Sequence, residues 1–445
     1  MKKKMKFGLL LLAVLMIFVI TGCNKSGGGG SGDSSRSAAS DVVNINFTVM
    51  SGVEDVECWQ TILDVFEKDY PNIKVNMENV PGGWEGYTQK LNTLIAAGTP
   101  PDTGRLASLQ KPMYNSMGRV VELDKFIERD LNMSEYNASV FEGNKFGGKT
   151  YGLPQGIYTL VVVYNKDLFD EAGIPYPKLD WNDTWTLAEF QDIARKLTKG
   201  SGPTKQFGFY ANISPERCNI FHYGENIDIF TDDGRTCTVD DPAMIRTFSW
   251  LVDMIRDETA PSMLQGARDP PIAEYFMTNR LGMYVTGQWE MQALSQAFQE
   301  DGFRFGVAPI PMGTYGARTV IFLDDYVIFE GSKHVEEAWK QISYMIGPTA
   351  TEIKIRKNAL GMPMHQPTLN RMLNDVYTVL TPEEKRVHFD SPNHGKVMYF
   401  TNNWPEMLEA FLKMNDLLVL GEISVPDGLR QLKGTLEELN KANFR

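Results

Sequence analysis

The chain has 445 residues, a formal net charge of −12 and 42% hydrophobic residues. This length is too great for a single hydrophobic core, so two domains of ordinary size are expected. The excess of acidic side chains argues against binding to nucleic acid and against direct electrostatic docking on an anionic membrane.

Residues 1–22 have the features of a lipoprotein signal peptide. Lysines at positions 2, 3, 4 and 6 precede an uncharged apolar run over residues 7–20. This run of about fourteen residues suits a secretory signal and is short for a membrane span of roughly twenty. The next residues, Thr21-Gly22-Cys23, resemble the bacterial lipobox, which implies that Cys23 carries a diacylglyceryl group and anchors the mature chain in the membrane. A plain signal peptide with a chance cysteine is the alternative.

A flexible linker follows the cysteine. Residues 24–40 read NKSGGGGSGDSSRSAAS and contain almost no apolar surface to bury. As a random coil this segment would reach about 20–25 Å, so residues 23–40 would hold a globular body near the headgroups. Loss of the signal and its four lysines leaves 423 residues (445 − 22) with a net charge of −16 (−12 − 4).

The globular body opens with the pattern of an α/β fold. Ile45, Phe47 and Val49 alternate with polar residues and predict a strand, and residues 73–77 repeat this alternation. Between them, apolar residues at positions 59, 62, 63 and 66 have helical spacing, and the helix ends before Pro71. A strand, a helix and a second strand form a βαβ unit and begin a parallel sheet, in which ligands lie beyond the carboxyl ends of the strands.

Later segments continue this mixed pattern without an internal repeat. An apolar strand is predicted over residues 160–164, and Asp233-Gly234 predicts a hairpin between residues 227–230 and 236–239. Thr186 is the expected N-cap of a helix over residues 185–197. The other predicted helices span residues 87–97, 242–257, 336–346, 405–416 and 425–441.

Three cysteines lie beyond Cys23. An extracellular location permits disulfides, and Cys218 could pair with Cys237 to close a loop of about twenty residues. The spacing leaves open whether the two thiols meet or remain free. Cys58 is expected to be free and buried beside the apolar stripe of the first helix.

Several segments are similar to one protein family along most of the chain. Their motifs are Ala97-Gly98-Thr99-Pro100-Pro101-Asp102, GGKTYGLP at 147–154, VYNKDLF at 163–169, TWTLAEF at 184–190, TDDG at 231–234 through Asp241-Pro242, GMYVTGQW at 282–289, GVAPIP at 306–311 and the helix at 336–346. Together they resemble the family 1 extracellular solute-binding proteins of ABC importers. The resemblance runs in order from residue 45 to about residue 440.

The resemblance implies a two-lobed, periplasmic-binding-protein-like α/β fold of type II, with a multi-crossover hinge and a ligand cleft between the lobes. The N-lobe would comprise residues 41–155 and 325–375, and the C-lobe residues 156–324 and 376–445. Such proteins close on a solute and present it to a membrane permease. The expected ligand is an oligosaccharide, and the expected partners are the transmembrane subunits of an ABC permease. A monomer on the outer face of a Gram-positive cell membrane fits the lipid and the linker.

Motifs for catalysis are missing from the sequence. Residues 143–150, GNKFGGKT, match the P-loop pattern, but their flanks lack the buried strand and the helix start that a P-loop needs. Neither G-x-S-x-G nor H-E-x-x-H occurs, and the five histidines lack metal-ligand spacing. The sequence therefore predicts a binding protein without an enzymatic activity, a cofactor or a metal.

The expected aromatic contacts of a sugar ligand are Tyr158, Trp289 and Trp404, because aromatic faces pack against the C–H face of a pyranose. Trp289 follows an apolar strand where the family's stacking tryptophan lies, and Tyr158 lies at a lobe crossover. Trp404 precedes a helix and is either a stacking or a structural residue. Trp84 and Tyr87 flank a helix start and are either core or site.

The expected polar contacts come from several segments. They are Glu54 and Asp55 in the loop after the first strand, Arg105 and Ser108 after Pro101-Asp102, Asn212, and Asp325 on a hinge strand over residues 320–329. Arg105 departs from the family, which is usually apolar there, and suggests an acidic or highly hydroxylated ligand or else a surface salt bridge. Asp324 and Asp325 cannot both line one site if they lie on a strand.

Three alternatives remain open. The same fold could bind an amino acid, a polyamine or a polyol phosphate, which a scarcity of aromatic residues in the cleft would favour. A surface enzyme acting on glycans would need two carboxyl groups about 5–9.5 Å apart. An accessory protein of a sensor would signal instead of transporting.

Overall fold

The computed structural model describes residues 42–231, 234–262, 272–357, 361–398 and 400–441. The predicted signal peptide, Cys23 and the linker lie outside these residues. The described residues from 42 to 441 form one compact unit that contains both sheets and every described helix, so a chain starting at residue 42 keeps all the packing below. Among the described residues, none of the helices combines the length and apolar character needed to cross a membrane.

The described residues form eleven strands and seventeen α-helices. The strands are β1 (Val43–Val49), β2 (Ile73–Asn79), β3 (Thr103–Leu106), β4 (Leu153–Pro154), β5 (Tyr158–Asn165), β6 (Phe207–Tyr210), β7 (Leu281–Gly287), β8 (Phe305–Ala308), β9 (Thr319–Phe322), β10 (Asp325–Ile328) and β11 (Gly395–Val397). The helices are α1 (Val53–Asp69), α2 (Gly83–Ala96), α3 (Lys111–Ser116), α4 (Asp124–Asp130), α5 (Ala138–Gly143), α6 (Lys166–Ala172), α7 (Leu187–Leu197), α8 (Pro215–Gly224), α9 (Pro242–Arg256), α10 (Ile272–Met277), α11 (Met291–Asp301), α12 (Val335–Tyr344), α13 (Pro348–Arg356), α14 (Gln366–Arg371), α15 (Pro382–Asp390), α16 (Trp404–Leu420) and α17 (Val425–Asn440).

The first sheet has the strand order β2-β1-β3-β10-β4. Strand β1 pairs in parallel with β2 and β3, and β10 runs antiparallel to β3 and β4. Helix α1 connects β1 to β2, and its Trp59, Ile62 and Phe66 are fully buried. The predicted βαβ unit is confirmed, because the helical spacing of these apolar side chains directs them to the sheet.

The second sheet has the order β11-β9-β5-β7-β6, with β8 also paired to β5. All eight residues of β5 are buried, which means that helices or loops cover both faces of this central strand. The apolar run at residues 160–164 therefore forms the predicted strand. Strands β6 and β7 are parallel, so their carboxyl ends lie at the same edge of the sheet.

The chain passes between the two sheets more than once. It leaves the first sheet after Pro154 and enters the second at Tyr158, and it returns between Phe322 and Asp325. A further link pairs Ile157 with Met362 through two backbone hydrogen bonds of 2.9 Å. Two sheets joined by several crossovers are the α/β architecture that the resemblance implies.

Most predicted helices are present with small changes at their ends. Thr186 caps α7 in a capping box with Glu189, as the sequence predicted. Helix α16 continues to Leu420, four residues beyond the predicted end, and stops at Gly421, whose φ of 74° suits glycine. Glu54 and Asp55 lie in the first turn of α1 and not in a loop.

The pairing of Cys218 with Cys237 is not formed, and Cys58 is also a free thiol. The Cys218 Sγ faces the carbonyl oxygen of Ile213 at 3.8 Å from within α8, whereas Cys237 bridges to Phe230 through its backbone. Both thiols are buried in separate surroundings, and burial raises the pKa of Cys237 and of Cys58 to about 11. All three are therefore inert apolar packing residues.

The P-loop-like segment is a turn. Gly147 and Gly148 have φ values of 58° and 80°, and the next helix or strand after them is the strand β4 and not a helix. The Lys149 ammonium pairs with Glu122 at 2.5 Å, and the Thr150 hydroxyl donates to Asp124 at 3.0 Å. The two side chains that would contact a nucleotide in a P-loop are therefore bonded to carboxylates of the protein itself. This agrees with the sequence-based prediction that the segment is not a nucleotide-binding loop.

A buried histidine gives this fold a pH-dependent stability. Burial lowers the pKa of His388 to about 4, and neither ring nitrogen has a hydrogen-bond partner among the described residues. The unfolded chain, with a histidine pKa of about 6.5, binds the proton first as the pH falls, so stability present above pH 6.5 is lost below it. We expect this side chain to lower the unfolding free energy by about 2 kcal/mol between pH 7 and pH 5.

Urea unfolding of residues 42–445 at the two pH values checks this expectation. His388→Phe should reduce the loss between pH 7 and pH 5 by about 2 kcal/mol. An identical pH dependence in the wild type and in His388→Phe would contradict the assignment.

Candidate ligand-binding site

A cavity of about 660 Å³ opens where the carboxyl ends of parallel strands from both sheets face each other. We call it the ligand cavity. One wall follows β1 and β3, and the other follows β6 and β7. Its lining includes the side chains of Ser51, Asp55, Trp84, Arg105, Ser108, Tyr158, Ser214, Glu216, Arg217, Trp289, Gln292, Gln296, Phe322, Asp324 and Phe400.

The first wall begins where β1 leads into α1. Ser51 donates a hydrogen bond to the Asp55 carboxylate at 2.5 Å, and both residues line the cavity. Glu54 lies beside them in the first turn of α1, and its side chain is outside the described part of the structure. Trp84 lines the cavity from the start of α2, whereas Tyr87 is fully buried and donates to the carbonyl of Thr48.

Arg105 is the centre of a buried polar network at the base of the cavity. Its guanidinium donates to Asp324 at 2.6 Å and to the carbonyl oxygen of Met50 at 2.8 Å, and it lies 4.7 Å from the ring of Trp84. Burial acts to lower the pKa of Arg105, but Asp324 and other neighbours outweigh it and raise that pKa. This is a buried ion pair and not the surface salt bridge that the sequence left open.

The Arg105 guanidinium also contacts the first crossover, which joins Pro154 to Tyr158. With its carbonyl oxygen turned toward Arg105, the Gln155 amide accepts from Nε at 2.8 Å, from Nη2 at 3.0 Å and from the Tyr158 hydroxyl at 2.9 Å. Ser108 ties β3 to the second crossover, since its N–H donates to Asp324 at 3.1 Å and its hydroxyl accepts from the N–H of Leu323 at 2.7 Å. The network therefore joins β3 to both segments that link the sheets.

The second wall presents two aromatic rings. The ring centroids of Tyr158 and Trp289 are 6.2 Å apart, and both residues line the cavity. Three atoms of the Trp289 ring lie 2.2–2.6 Å from where a Cβ on Gly287 would stand, so the ring rests flat on that glycine's backbone. Trp289 is half-buried, which leaves part of it available to a ligand.

A second pair of charges, at the first turn of α8, was not anticipated from the sequence. The Arg217 guanidinium lies 4.9 Å from the Trp289 ring, and its Nη1 is buried without a hydrogen-bond partner among the described residues. Glu216 accepts from the Trp404 indole N–H at 3.0 Å. Burial raises the pKa of Glu216 and lowers that of Arg217, since it disfavours both charged forms. The sequence feature that could have predicted this pair is the segment Ser214-Pro215-Glu216-Arg217, which places polar residues shortly after a strand.

Among the expected site residues whose side chains are described, three do not line the ligand cavity. The Asn212 side chain accepts a hydrogen bond from the Ser214 N–H at 2.9 Å and so helps to position Ser214, which lines the cavity. Trp404 is 1% exposed and donates a hydrogen bond to Glu216, which lines the cavity. Of the two roles that the sequence left open for Trp404, it therefore has the structural one. Asp325 faces the opposite side from Asp324, where it pairs with Lys111 at 3.1 Å, and burial raises its pKa to about 6.

The cavity thus offers aromatic faces and both hydrogen-bond donors and acceptors. Tyr158, Trp289 and Trp84 provide rings, Arg105 and Arg217 provide donors, and Asp55, Glu216 and Asp324 provide acceptors. Such a lining suits a compact ligand with apolar C–H faces and many hydroxyl groups.

Comparison with known proteins gives one family. The sequence pattern of the bacterial extracellular solute-binding protein family matches residues 53–352. The galactooligosaccharide-binding protein of Bacillus subtilis (strain 168) is 23% identical over 431 residues, which cover 94% of this chain and 92% of that protein.

Solved structures share the fold across nearly the whole chain. An ABC substrate-binding protein from Listeria monocytogenes in complex with cycloalternan has a TM-score of 0.77 at 24% identity and covers 90% of this chain and 99% of that one. UgpB from Mycobacterium tuberculosis in complex with glycerophosphocholine has a TM-score of 0.76 at 18% identity, with coverage of 90% and 99%. The fold is the two-lobed α/β fold of these receptors, and the chain belongs to the bacterial extracellular solute-binding protein family.

Proposed function

We propose that this protein is the lipid-anchored receptor of an ABC importer, and that it binds an oligosaccharide between its two sheets for delivery to a membrane permease. The observation that carries the proposal is the ligand cavity, which Trp84, Tyr158 and Trp289 line together with charged and amide side chains. The similar proteins from Bacillus subtilis and Listeria monocytogenes, which bind sugars by their names, support the same ligand class.

The proposed mechanism is capture followed by closure. A ligand that contacts both walls stabilises the state in which the sheets approach each other, because it interacts more strongly with that state than with an open one. The crossovers around Gln155 and Asp324 would absorb the backbone rotation, and a permease would recognise the closed shape. Lipidation of Cys23, a monomeric state and a Gram-positive membrane location remain predictions from the signal sequence and the linker.

A ligand other than a sugar is the main alternative. The similar fold of UgpB is solved with glycerophosphocholine, so the architecture by itself does not select carbohydrates. A sugar-acting enzyme is the other alternative, since Asp55, Glu216 and Asp324 are carboxylates on the same cavity. We favour binding without catalysis, because Asp324 is paired with Arg105 and Glu216 is held by Trp404.

Thermal unfolding of residues 42–445 against a ligand panel tests the function. The panel contains galacto-, gluco- and chitooligosaccharides of two to five units together with glycerophosphocholine. One oligosaccharide class at a hundredfold excess over its dissociation constant should stabilise the fold by about 2.7 kcal/mol. Stabilisation by glycerophosphocholine alone would favour the alternative ligand, and release of shorter sugars on overnight incubation would contradict a pure binding role.

A further inference from the structure

The backbone of Gln155, in the first crossover, is held on both sides. Its N–H donates to the carbonyl oxygen of Asp324 at 2.9 Å, and its own carbonyl oxygen accepts from the Lys354 ammonium at 3.0 Å. The side-chain amide of Gln155 holds the Arg105 guanidinium and the Tyr158 hydroxyl. Gln155 is fully buried and does not line the ligand cavity, so any effect it has on a ligand passes through the two side chains that it holds.

Lys354 is a buried cation in α13 that forms no ion pair with a carboxylate of the described residues. Its ammonium donates to the carbonyl oxygen of Gln155 and, at 2.9 Å, to that of Met345, which directly follows α12. The ammonium also lies 5.4 Å from the centre of the Tyr326 ring in β10. A cation suits the free carbonyl oxygens at the end of a helix. These contacts tie the first crossover to elements packed on the first sheet.

The buried ammonium is costly for folding. Burial disfavours its charged form and lowers the pKa of Lys354 to about 8. An apolar side chain of similar length would avoid this cost, because replacement of buried charges by apolar residues often leaves stability unchanged or higher. Buried groups that break such a rule are expected at functional sites. The contact that an apolar residue would not supply is the one that fixes the carbonyl group of Gln155.

We propose that Lys354 is a positioning residue for ligand binding, which fixes the first crossover at Gln155 so that the Gln155 amide holds Arg105 and Tyr158 in the orientation that a ligand meets. The inference rests on the proposed function, because it needs a ligand in the cavity, but it does not depend on which ligand binds. Lys354 itself is buried outside the lining of the cavity. Its effect on affinity therefore reports positioning and not direct contact.

Calorimetric titration of residues 42–445 at pH 7 tests the inference. The probes are galactooligosaccharides and maltooligosaccharides of two to five units and glycerophosphocholine, and the probe that binds the wild type most tightly is titrated into each variant. The variants are Lys354→Met, Lys354→Gln, Gln155→Met and the double variant Lys354→Met with Gln155→Met. Lys340→Met is the matched control, because it makes the same substitution at an exposed lysine of α12 that does not line the cavity.

Lys354→Met should lower the affinity about tenfold, as expected when a charged donor no longer fixes the first crossover. Lys354→Gln keeps a donor on a shorter side chain and should lower the affinity less. The double variant should lose no more affinity than Gln155→Met alone, because the two residues act through the same contacts and their effects are not additive. Lys340→Met should bind as the wild type does.

An affinity within twofold of the wild type for Lys354→Met would overturn the positioning role and leave the receptor function intact. Losses that multiply in the double variant would also overturn it, because Lys354 would then act by a route other than Gln155. Failure of both Lys354 variants to fold, measured by urea unfolding, would make the residue structural and overturn the proposal in the same way. Failure of every probe to bind the wild type would instead overturn the proposed function, and the positioning role with it.

Discussion

Replacement of Trp289 by alanine should lower the affinity for an oligosaccharide by about thirtyfold or more. The ring rests on Gly287 and lines the cavity beside Tyr158, so it is a preformed surface against which a sugar can pack. Anchor residues of this kind cost about 2 kcal/mol or more of binding free energy when truncated, which corresponds to that factor. Calorimetric titration with the oligosaccharide that gives the largest thermal shift measures the loss.

Trp289→Phe is the matched control, since it keeps an aromatic face of smaller area. It should retain most of the affinity, and both variants should unfold near the wild-type temperature because Trp289 is only half-buried. An affinity within twofold of the wild type for Trp289→Ala would remove this residue from the binding site. A large loss of stability in the same variant would instead identify it as a core residue.

Removal of the Asp324 carboxylate should have the largest effect on stability. In Asp324→Ala, the buried Arg105 guanidinium loses its ion-pair partner at 2.6 Å, and the Ser108 N–H loses its acceptor. Breaking one side of a buried ion pair costs about 3–5 kcal/mol, because the remaining charge stays in a low-dielectric site without compensation. Urea unfolding at pH 7 of residues 42–445 measures this loss.

The double variant Arg105→Met with Asp324→Leu separates charge from packing. It removes both charges together and should recover most of the stability, as replacement of a buried ion pair by apolar residues often does. It should nevertheless bind ligand poorly, because both residues line the cavity. A loss below about 1 kcal/mol in Asp324→Ala would mean that water screens the pair and that the network does not hold the two crossovers.

Local pattern was sufficient for much of the fold. The buried face of an element can be predicted from the spacing of its apolar residues in a short segment. This was so for the alternation at Ile45, Phe47 and Val49 and for the helical spacing in α1. Thr186 and Glu189 likewise form a cap within one turn of each other. The free Cys218 and Cys237 could not be predicted, because pairing depends on whether distant segments meet in space.

Part of the lining of the ligand cavity could be predicted from the position of residues along the chain. Asp55 and Ser108 follow β1 and β3, and Arg105 lies near the carboxyl end of β3, so the rule that ligands lie at carboxyl ends agrees with their place on the cavity. Tyr158, expected from its position at a lobe crossover, and Trp289, expected from a family motif, also line the cavity.

Other site residues depended on tertiary structure. The sequence excluded a shared site for Asp324 and Asp325 only if both lay on a strand, but Asp324 lies in the crossover just before β10. Which of them lines the cavity therefore depends on how that crossover turns. Arg217 and Glu216 were missed because their position comes from the packing of α8 against Trp289 and Trp404. The role of Trp404 behind the site, and not in it, follows from the same packing.

A crystal structure of residues 42–445 with the oligosaccharide that stabilises the protein most is the most direct measurement of ligand capture between the two sheets. We expect one sugar ring against Trp289, with hydrogen bonds to at least one side chain from each wall, such as Asp55 and Arg217. A ligand bound outside this cleft, or one that touches a single wall and leaves the other exposed, would contradict it.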